Sequence, residues 1–251
     1  MAMLSTCIIP PTAPHTHTVI FLHGRGDSAK KFMSSFQEWR DSESRSLADL
    51  FPSVRWVFPQ SELRAAAKFP GARMSQWFDT WNIANLHEKQ ELQIEGLKES
   101  VSSIKVLLDT EVNRLDGQWE KVVLAGLSQG GATVAHTLIN APKALGGIMV
   151  FSGRMPFPGR PLAETRMVLG LTGVPDDDSA VRTTPVLVQH CADDPLSRIQ
   201  NGREVRDSLS NFGCEVEWQE YPTGGHWFHS PGGVEDAARW LRAHVFEEKH
   251  T

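Results

Sequence analysis

Residues 121–135 of the chain read Lys-Val-Val-Leu-Ala-Gly-Leu-Ser-Gln-Gly-Gly-Ala-Thr-Val-Ala. The first five residues are an apolar run that predicts a strand covered on both faces, and the residues after Gly131 suit the start of a helix. Between them, residues 126–130 match G-x-S-x-G, a pattern in which a sharp strand-to-helix turn presents a serine as a nucleophile. Glycine fits such a turn because it has no Cβ atom to clash. The stretch predicts an α/β fold with Ser128 as candidate nucleophile; the alternative is a glycine-rich loop with a solvent-exposed serine.

The rest of the chain also alternates between strand and helix patterns. Strands are predicted at 19–22, 54–58, 148–151 and 186–189, with a final edge strand at 215–219. Amphipathic spacing predicts helices over 91–115, 132–140, 199–212 and 234–245. This order indicates a mostly parallel, doubly wound sheet in a single domain over 18–248. Residues 1–17, with three prolines, are expected to be a frayed lead-in, and the aperiodic segments 59–85 and 154–184 are expected to be functional loops.

Composition excludes several classes of function. The 251 residues include 25 Lys and Arg against 30 Asp and Glu, a formal net charge of −5, which gives no general attraction to nucleic acid or anionic lipid. Three scattered cysteines are too few for a disulfide framework or a zinc site and suit a reducing compartment. No run approaches the ~18 apolar residues of a membrane span, and the first 18 residues lack a signal-peptide pattern. We therefore expect a cytoplasmic protein that does not bind nucleic acid.

A nucleophilic serine needs a histidine base and a carboxylate that orients the base, here in the chain order serine, acid, histidine. One downstream strand ends at His190, a candidate packed histidine, and is followed by Asp193 and Asp194. The last strand leads into a loop with His226 and His229. Spacing leaves the two aspartates equivalent and favours His226, the first histidine after the strand. Both loops follow the carboxyl ends of strands, where ligands bind in parallel sheets.

Acyl transfer also needs two N–H donors for the developing oxyanion. One is expected from the backbone of Gln129, and the other from residues 23–27 (His-Gly-Arg-Gly-Asp), unless that loop is a plain glycine-rich turn. The loop does not match a phosphate cradle because no Lys-Ser/Thr follows at the required spacing. Residues 15–17 and 176–178 contain metal-binding side chains, but they are better interpreted as an inert tail and an exposed acidic loop. No metal or cofactor is expected.

Five motifs occur in a fixed order along the chain. They are Phe-Leu-His-Gly-Arg-Gly-Asp at 21–27, Trp-Phe-Asp at 77–79, Gly-Leu-Ser-Gln-Gly-Gly at 126–131, His-Cys-Ala-Asp-Asp-Pro at 190–195 and Tyr-Pro-Thr-Gly-Gly-His at 221–226. Because of these motifs, the sequence resembles the acyl-protein thioesterase, lysophospholipase and carboxylesterase group. The members of this group are small α/β-hydrolases without a separate cap domain. The resemblance covers roughly residues 19–245 and implies the α/β-hydrolase fold.

The resemblance also implies roles for particular residues. Position by position, it makes Ser128 the nucleophile, Asp194 rather than Asp193 the catalytic acid, and His226 the base. It places the oxyanion N–H donors at Arg25 and Gln129.

The same likeness implies that residues 59–79 shape an acyl-binding channel. The candidate substrate-binding residues are His23, Gly24, Phe69, Trp77 and Trp81, although Trp77 and Trp81 could equally belong to the core. Three features depart from the thioesterase pattern, and the first is that His190 is followed by Cys191 rather than Gly. Position 25 is Arg where thioesterases usually have Leu, which points toward general carboxylesterases, and the segment 156–184 is longer than expected.

We therefore expect a serine hydrolase that cleaves carboxylic esters or thioesters through an acyl-enzyme, without metal or organic cofactor. The leading substrates are acyl thioesters or esters, including S-acylated protein and lysophospholipid. The alternatives are a carboxylesterase of small soluble esters and, from another class, a non-catalytic ligand-binding protein with a hydrolase fold. Membrane association is expected to be transient at most, for instance through acylation of Cys7. The sequence leaves the oligomeric state open.

Overall fold

The computed structural model describes residues 3–83 and 85–246. The strands are β1 (Thr6–Ile9), β2 (His17–Leu22), β3 (Val54–Pro59), β4 (Leu63–Ala65), β5 (Arg73–Ser75), β6 (Val122–Leu127), β7 (Gly147–Phe151), β8 (Val186–Cys191) and β9 (Val216–Tyr221). The helices are α1 (Ala29–Glu38), α2 (Leu47–Leu50), α3 (Leu92–Asn113), α4 (Gln129–Ile139), α5 (Leu162–Leu169), α6 (Ser179–Thr183), α7 (Ile199–Asn211) and α8 (Gly232–Leu241). Seven strands form one sheet in the order β1-β3-β2-β6-β7-β8-β9, and β4 pairs with β5 in a hairpin.

The main sheet is parallel except at one edge. β1 pairs antiparallel with β3, and every other neighbouring pair is parallel. All six residues of β6 and of β8 are buried, as their continuous apolar runs predict for strands covered on both faces. The six strands predicted from sequence are all present, and β9 is the other edge. The predicted mostly parallel α/β sheet is confirmed.

Two hydrophobic cores flank the sheet, one on each face. Successive strand residues point to opposite faces, so Ile20 and Leu22 pack with the residues of α3, α4 and α7, while Val19 and Phe21 pack with those of α1 and α8. Every residue of α4 is buried, because this helix lies against the sheet beneath α3. The doubly wound, single-domain arrangement is therefore as predicted.

The expectation for residues 1–17 is corrected. Residues 6–9 form the edge strand β1, with Thr6 opposite Pro59 and Ile9 opposite Trp56, so the domain begins before residue 18. The prolines that suggested a frayed tail follow this strand and end it instead, since proline cannot donate to a sheet ladder. At the other end, α8 stops at Leu241 and a π-helical turn continues to Phe246. Residues 247 and 248 of the predicted domain lie outside the described residues.

The two aperiodic segments contain short elements that lie near the carboxyl edge of the sheet or beside α4. Residues 59–85 include the β4–β5 hairpin, and residues 154–184 include α5 and α6. Among the helices of the described chain, none is both long enough and apolar enough to cross a membrane. The cytoplasmic location stays a prediction.

Candidate active site

The turn between β6 and α4 holds Ser128 in a strained conformation, with φ 55° and ψ −118°. The backbone on either side is packed too closely for side chains. A Cβ atom added at Gly126 would lie 2.4 Å from the carbonyl carbon of Gly130, and one added at Gly130 would lie 2.4 Å from the carbonyl oxygen of Leu22. These contacts explain both glycines of the G-x-S-x-G motif. The turn also places Ser128 directly before the amino terminus of α4, whose N–H groups favour negative charge.

Asp194 and His226 lie in hydrogen-bond contact at this end of the sheet. His226 Nδ1 lies 2.7 Å from one carboxylate oxygen of Asp194, and the other oxygen accepts N–H groups of Leu196 and Ser197 at 2.8 Å each. Burial raises the pKa of the Asp194 carboxyl, but hydrogen bonds from His190, His226 and Ser197 outweigh burial and hold this pKa well below its usual range. Asp194 is therefore an ionised acceptor, able to fix one tautomer of the His226 ring and to stabilise its cation.

The neighbouring Asp193 and His229, which spacing alone could not exclude, have other partners. The carboxylate of Asp193 accepts the N–H groups of Gly224 and Gly225 at 3.2 and 2.8 Å. His229 Nδ1 lies 3.0 Å from the carbonyl oxygen of Thr223, and its ring stacks on Tyr221 with centroids 4.2 Å apart. These contacts hold the loop that carries His226. The geometry thus pairs Asp194 with His226, as the resemblance implied.

A second histidine lies beneath the Asp194 carboxylate. His190 is buried, as expected for a packed strand-end histidine, and its Nε2 lies 2.6 Å from the carbonyl oxygen of Ser197 and 3.3 Å from Asp194 Oδ2. A carbonyl oxygen can only accept, so Nε2 carries a hydrogen that also faces Asp194. Sequence analysis missed this contact. It could have been inferred from spacing, because His190 lies near the end of β8 and only four residues before Asp194.

The loop at residues 23–27 passes directly beside the nucleophile. A Cβ atom at Gly24 would lie 3.5 Å from the Cβ of Ser128. Within the described part of the chain, the backbone N–H of Arg25 donates to no carbonyl or side chain, so it is free to bind an oxyanion. Gln129 is the first residue of α4, and a helix leaves the N–H of its first residue without a partner in the helix. The N–H groups of Arg25 and Gln129 therefore lack a backbone partner that would compete with an oxyanion.

The side chain of Gln129 holds this arrangement together from below. Its oxygen accepts the N–H of Trp77 at 2.8 Å, and its nitrogen donates to the carbonyl oxygen of Phe78 at 2.7 Å. The indole of Trp77 donates to the carbonyl oxygen of His23, also at 2.8 Å. The ring of His23 is buried and bonded on both sides, through Nδ1 to the carbonyl oxygen of Gly24 and through Nε2 to the N–H of Ser61.

A cavity of about 380 Å³ contains the candidate machinery. Ser128 and His226 both line it, together with Gly24 and Arg25 from the oxyanion loop. Its apolar wall includes Met74, Ile83, Leu196 and Trp227 as well as Leu127. In the described residues, the Ser128 hydroxyl makes no hydrogen bond to His226; such bonds are often long before substrate binds.

Four of the five predicted substrate-binding residues lie off the wall of this cavity. Trp77 and His23 are buried behind the oxyanion loop, where their bonds position it, and neither lines the cavity. Phe69 lies at the β4–β5 hairpin with its side chain half exposed. The indole of Trp81 donates to Glu88, and the ammonium group of Lys89 lies over its ring. Of the five candidates, Gly24 alone lies on the cavity wall.

The residues that do form the wall were missed for a physical reason. Met74 and Ile83 lie in the aperiodic segment 59–85, whose path over the sheet no periodicity indicates. Leu196 and Trp227 had a usable signal, because each stands within two residues of a predicted catalytic residue. Arg154, also on the wall, follows β7 at the carboxyl edge of the sheet.

Comparison with known proteins agrees with this geometry. A model of the phospholipase/carboxylesterase family matches residues 4–245. The chain belongs to that family. It is 29% identical over 244 residues to acyl-protein thioesterase 1 of Yarrowia lipolytica, covering 95% of this chain and 96% of that protein. It is also 28% identical over 210 residues to the carboxylesterase SOBER1 of Arabidopsis thaliana, covering 83% and 82% of the two chains.

The fold likeness extends to solved structures. The crystal structure of Zea mays acyl-protein thioesterase 2 superposes with a TM-score of 0.75 at 22% identity, covering 96% of this chain and 99% of that one. The predicted α/β-hydrolase fold is thereby confirmed. Membership of the phospholipase/carboxylesterase family also confirms the expected class of enzyme, a hydrolase of carboxylic ester or thioester bonds.

Proposed function

We propose that Ser128, His226 and Asp194 form the catalytic triad of this hydrolase and cleave acyl esters or thioesters through an acyl-enzyme. The observation that carries the proposal is the 2.7 Å contact between His226 and the buried Asp194, on a cavity that Ser128 also lines. A buried carboxylate bonded to the histidine on one side leaves the other ring nitrogen free to act on the serine.

The mechanism follows from these positions. Ser128 attacks the acyl carbonyl while His226 Nε2 takes its proton, and Asp194 stabilises the imidazolium that forms. The oxyanion is bound by the N–H groups of Arg25 and Gln129, since preorganised donors stabilise charge that develops in the transition state. His226 then protonates the leaving alcohol or thiol, and in the second half it activates water to release the acid and free Ser128.

The apolar part of the cavity supports an acyl group as the bound portion of the substrate. Met74, Ile83, Leu196 and Trp227 offer a surface for a hydrocarbon chain beside Ser128. The similar proteins named as acyl-protein thioesterases favour S-acylated protein as a substrate class. A carboxylesterase of smaller esters is the second candidate, which the limited volume of about 380 Å³ and the likeness to SOBER1 favour.

The test compares hydrolysis of 4-nitrophenyl esters from acetate to palmitate, and of an S-palmitoylated peptide, by the native protein and by Ser128→Ala. Ser103→Ala, on α3 and away from the cavity wall, is the matched control. We expect Ser128→Ala to lose at least about 10⁴-fold in kcat/KM and the control to lose nothing. Rates that rise with chain length favour the thioesterase, and a preference for acetate or butyrate favours the small-ester enzyme. Equal rates for Ser128→Ala and the native protein would overturn the proposal.

A further inference from the structure

The catalytic cavity contains a buried cation that has no anionic partner among the residues the structure describes. Arg154 is 7% exposed and lines the same wall as Ser128 and His226. Its one hydrogen bond to a described side chain is a long one, from Nη2 to the hydroxyl of Thr80 at 3.5 Å. Across residues 3–83 and 85–246, no carboxylate oxygen lies within 4 Å of its guanidinium group. A buried charge without a partner is costly, so this arrangement calls for an explanation.

Other arginines of this chain show how a partly buried guanidinium is normally matched. Arg55 pairs with the buried carboxylate of Glu111 at 3.0 Å. Arg25, on the cavity wall itself, donates from Nε to the side-chain oxygen of Gln76 at 2.8 Å and has a carboxylate oxygen of Asp79 3.8 Å from Nη2. Arg154 differs from both because, in the described part of the chain, it has no carboxylate partner.

The charges around the cavity do not supply the missing partner. Asp79 is engaged by the N–H groups of Ala67 and Thr80 as well as by Arg25. Asp27 lines the cavity, but it accepts the N–H of Ser28 and makes no ion pair with Arg154.

Arg154 is nevertheless charged at neutral pH. Burial and the nearby positive charge of Arg25 lower the pKa of Arg154 to about 10, which still leaves it protonated. The wall therefore carries two guanidinium groups, of which one is free to bind an anion.

We propose that Arg154 binds an anionic group, a carboxylate or a phosphate, at the far end of the substrate's acyl chain. The inference rests on the proposed hydrolase function and narrows its substrate class to acidic esters or thioesters. The planar fork of arginine matches a carboxylate or phosphate in two parallel hydrogen bonds. A wholly apolar chain in this cavity would displace water from Arg154 without replacing its hydrogen bonds. An acidic ester would neutralise Arg154 and use the apolar wall for the carbons between its two ends.

Three substrates of matched length test the proposal. They are 4-nitrophenyl hydrogen adipate, its neutral methyl ester, and 4-nitrophenyl 5-phosphonopentanoate. The variants are Arg154→Met, which keeps the bulk without the charge, and Arg154→Lys, which keeps the charge without the fork. Arg160→Met, an exposed arginine outside the cavity wall, is the control.

We expect the native protein to prefer an acidic ester over the methyl ester by at least about tenfold in kcat/KM, the scale of a hydrogen bond to a charged group. Arg154→Met should bring this ratio to about one while its rate on the neutral ester stays within about threefold of native. Arg154→Lys should retain an intermediate ratio, and Arg160→Met should keep the native one. The ranking of adipate against phosphonate then tells whether the bound anion is a carboxylate or a phosphate.

An unchanged ratio in Arg154→Met, or a native preference for the neutral ester, would overturn the inference. A parallel loss on all three esters would assign Arg154 a structural role and would also overturn it. If the native protein hydrolyses none of the three, the proposed function is judged by the 4-nitrophenyl acetate-to-palmitate series with Ser128→Ala, and binding tests the anion site separately. Adipate or inorganic phosphate should then raise the Tm of the native protein but not that of Arg154→Met. The absence of that shift in the native protein would reject the anion site.

Discussion

The turn around Ser128 and the cavity wall above it are built in opposite ways. The turn is backbone packed on backbone, so tightly that Gly126 and Gly130 have no room for a methyl group. The wall is made of side chains on irregular segments, and several of them are open to solvent. Ile83 is 42% exposed, Leu196 53% and Trp227 37%.

This difference separates two properties of the enzyme. The positions of the reacting groups depend on close backbone contacts and on buried hydrogen bonds, which a substitution disrupts at a large energetic cost. The choice of substrate depends on exposed side chains, which can change with little effect on folding because they support few other residues. We therefore expect substitutions in the turn and in the wall to fall into two classes that measurement can tell apart.

The largest effect is expected at the histidine of the triad. His226→Ala should lower kcat/KM on the order of 10⁴-fold or more, since it removes the proton acceptor for Ser128. His229→Ala, three residues away, is the matched control. Its ring bonds to Thr223 and stacks on Tyr221, so its loss should loosen the loop and cost about tenfold at most. Steady-state kinetics on one activated ester measure both. A larger loss in His229→Ala than in His226→Ala would exchange the roles of the two histidines.

The next effect concerns the backbone of the turn. Gly130→Ala introduces a Cβ atom 2.4 Å from the carbonyl oxygen of Leu22, and both partners are backbone and cannot move independently. We expect a loss of about 3 kcal/mol or more in the free energy of unfolding, or failure to accumulate as folded protein. Alanine normally favours a helix over glycine by about 1 kcal/mol, so helix propensity would act in the opposite direction.

Gly24→Ala is the control for this prediction. Its Cβ atom would meet the Cβ of Ser128 at 3.5 Å, an ordinary van der Waals contact. Urea unfolding followed by circular dichroism should show a change below about 1 kcal/mol for Gly24→Ala. Equal stability of the two alanine variants would mean that the turn relaxes more than its close contacts suggest.

The same contrast explains which features could be predicted from sequence. The strands β6 and β8 are continuous apolar runs, and the motifs around Ser128, Asp194 and His226 follow strand ends directly, so local pattern and fold agree there. β1 was missed because four residues before two prolines resemble a loose tail until their pairing with β3 is known. α1 was missed too, although Phe32 and Phe36 stand at helical spacing and are buried.

The cavity wall could not be predicted because aromatic identity does not say which way a side chain faces. Trp77 and Trp81 were expected on the cavity as readily as in the core, and the structure buries Trp77 beneath the oxyanion loop and turns the indole of Trp81 to Glu88. Arg154 gave no signal, since a single arginine after a strand is usually a solvated surface residue. What makes it notable is the absence of a carboxylate around it in the described structure, which depends on long-range packing.

The smallest effect is expected for substitution of Leu196. This residue is the sharpest test of the contrast between the catalytic groups and the cavity wall, because it contacts both. Its backbone N–H donates to Asp194 Oδ1 at 2.8 Å, while its exposed side chain lies on the cavity wall. Leu196→Ala keeps the N–H and removes only apolar surface. We expect the free energy of unfolding to stay within about 0.5 kcal/mol of native and the rate on 4-nitrophenyl acetate to be unchanged.

The rate of Leu196→Ala on longer acyl esters should fall by up to about tenfold, because a few buried methylene groups are worth that much discrimination. Met167→Ala, on α5 and even more exposed but outside the cavity wall, should change neither rate. A loss in Leu196→Ala that is equal for acetate and for long chains would mean that the side chain helps to hold Asp194. The wall and the triad would then be one unit, and substrate choice could not change without changing the chemistry.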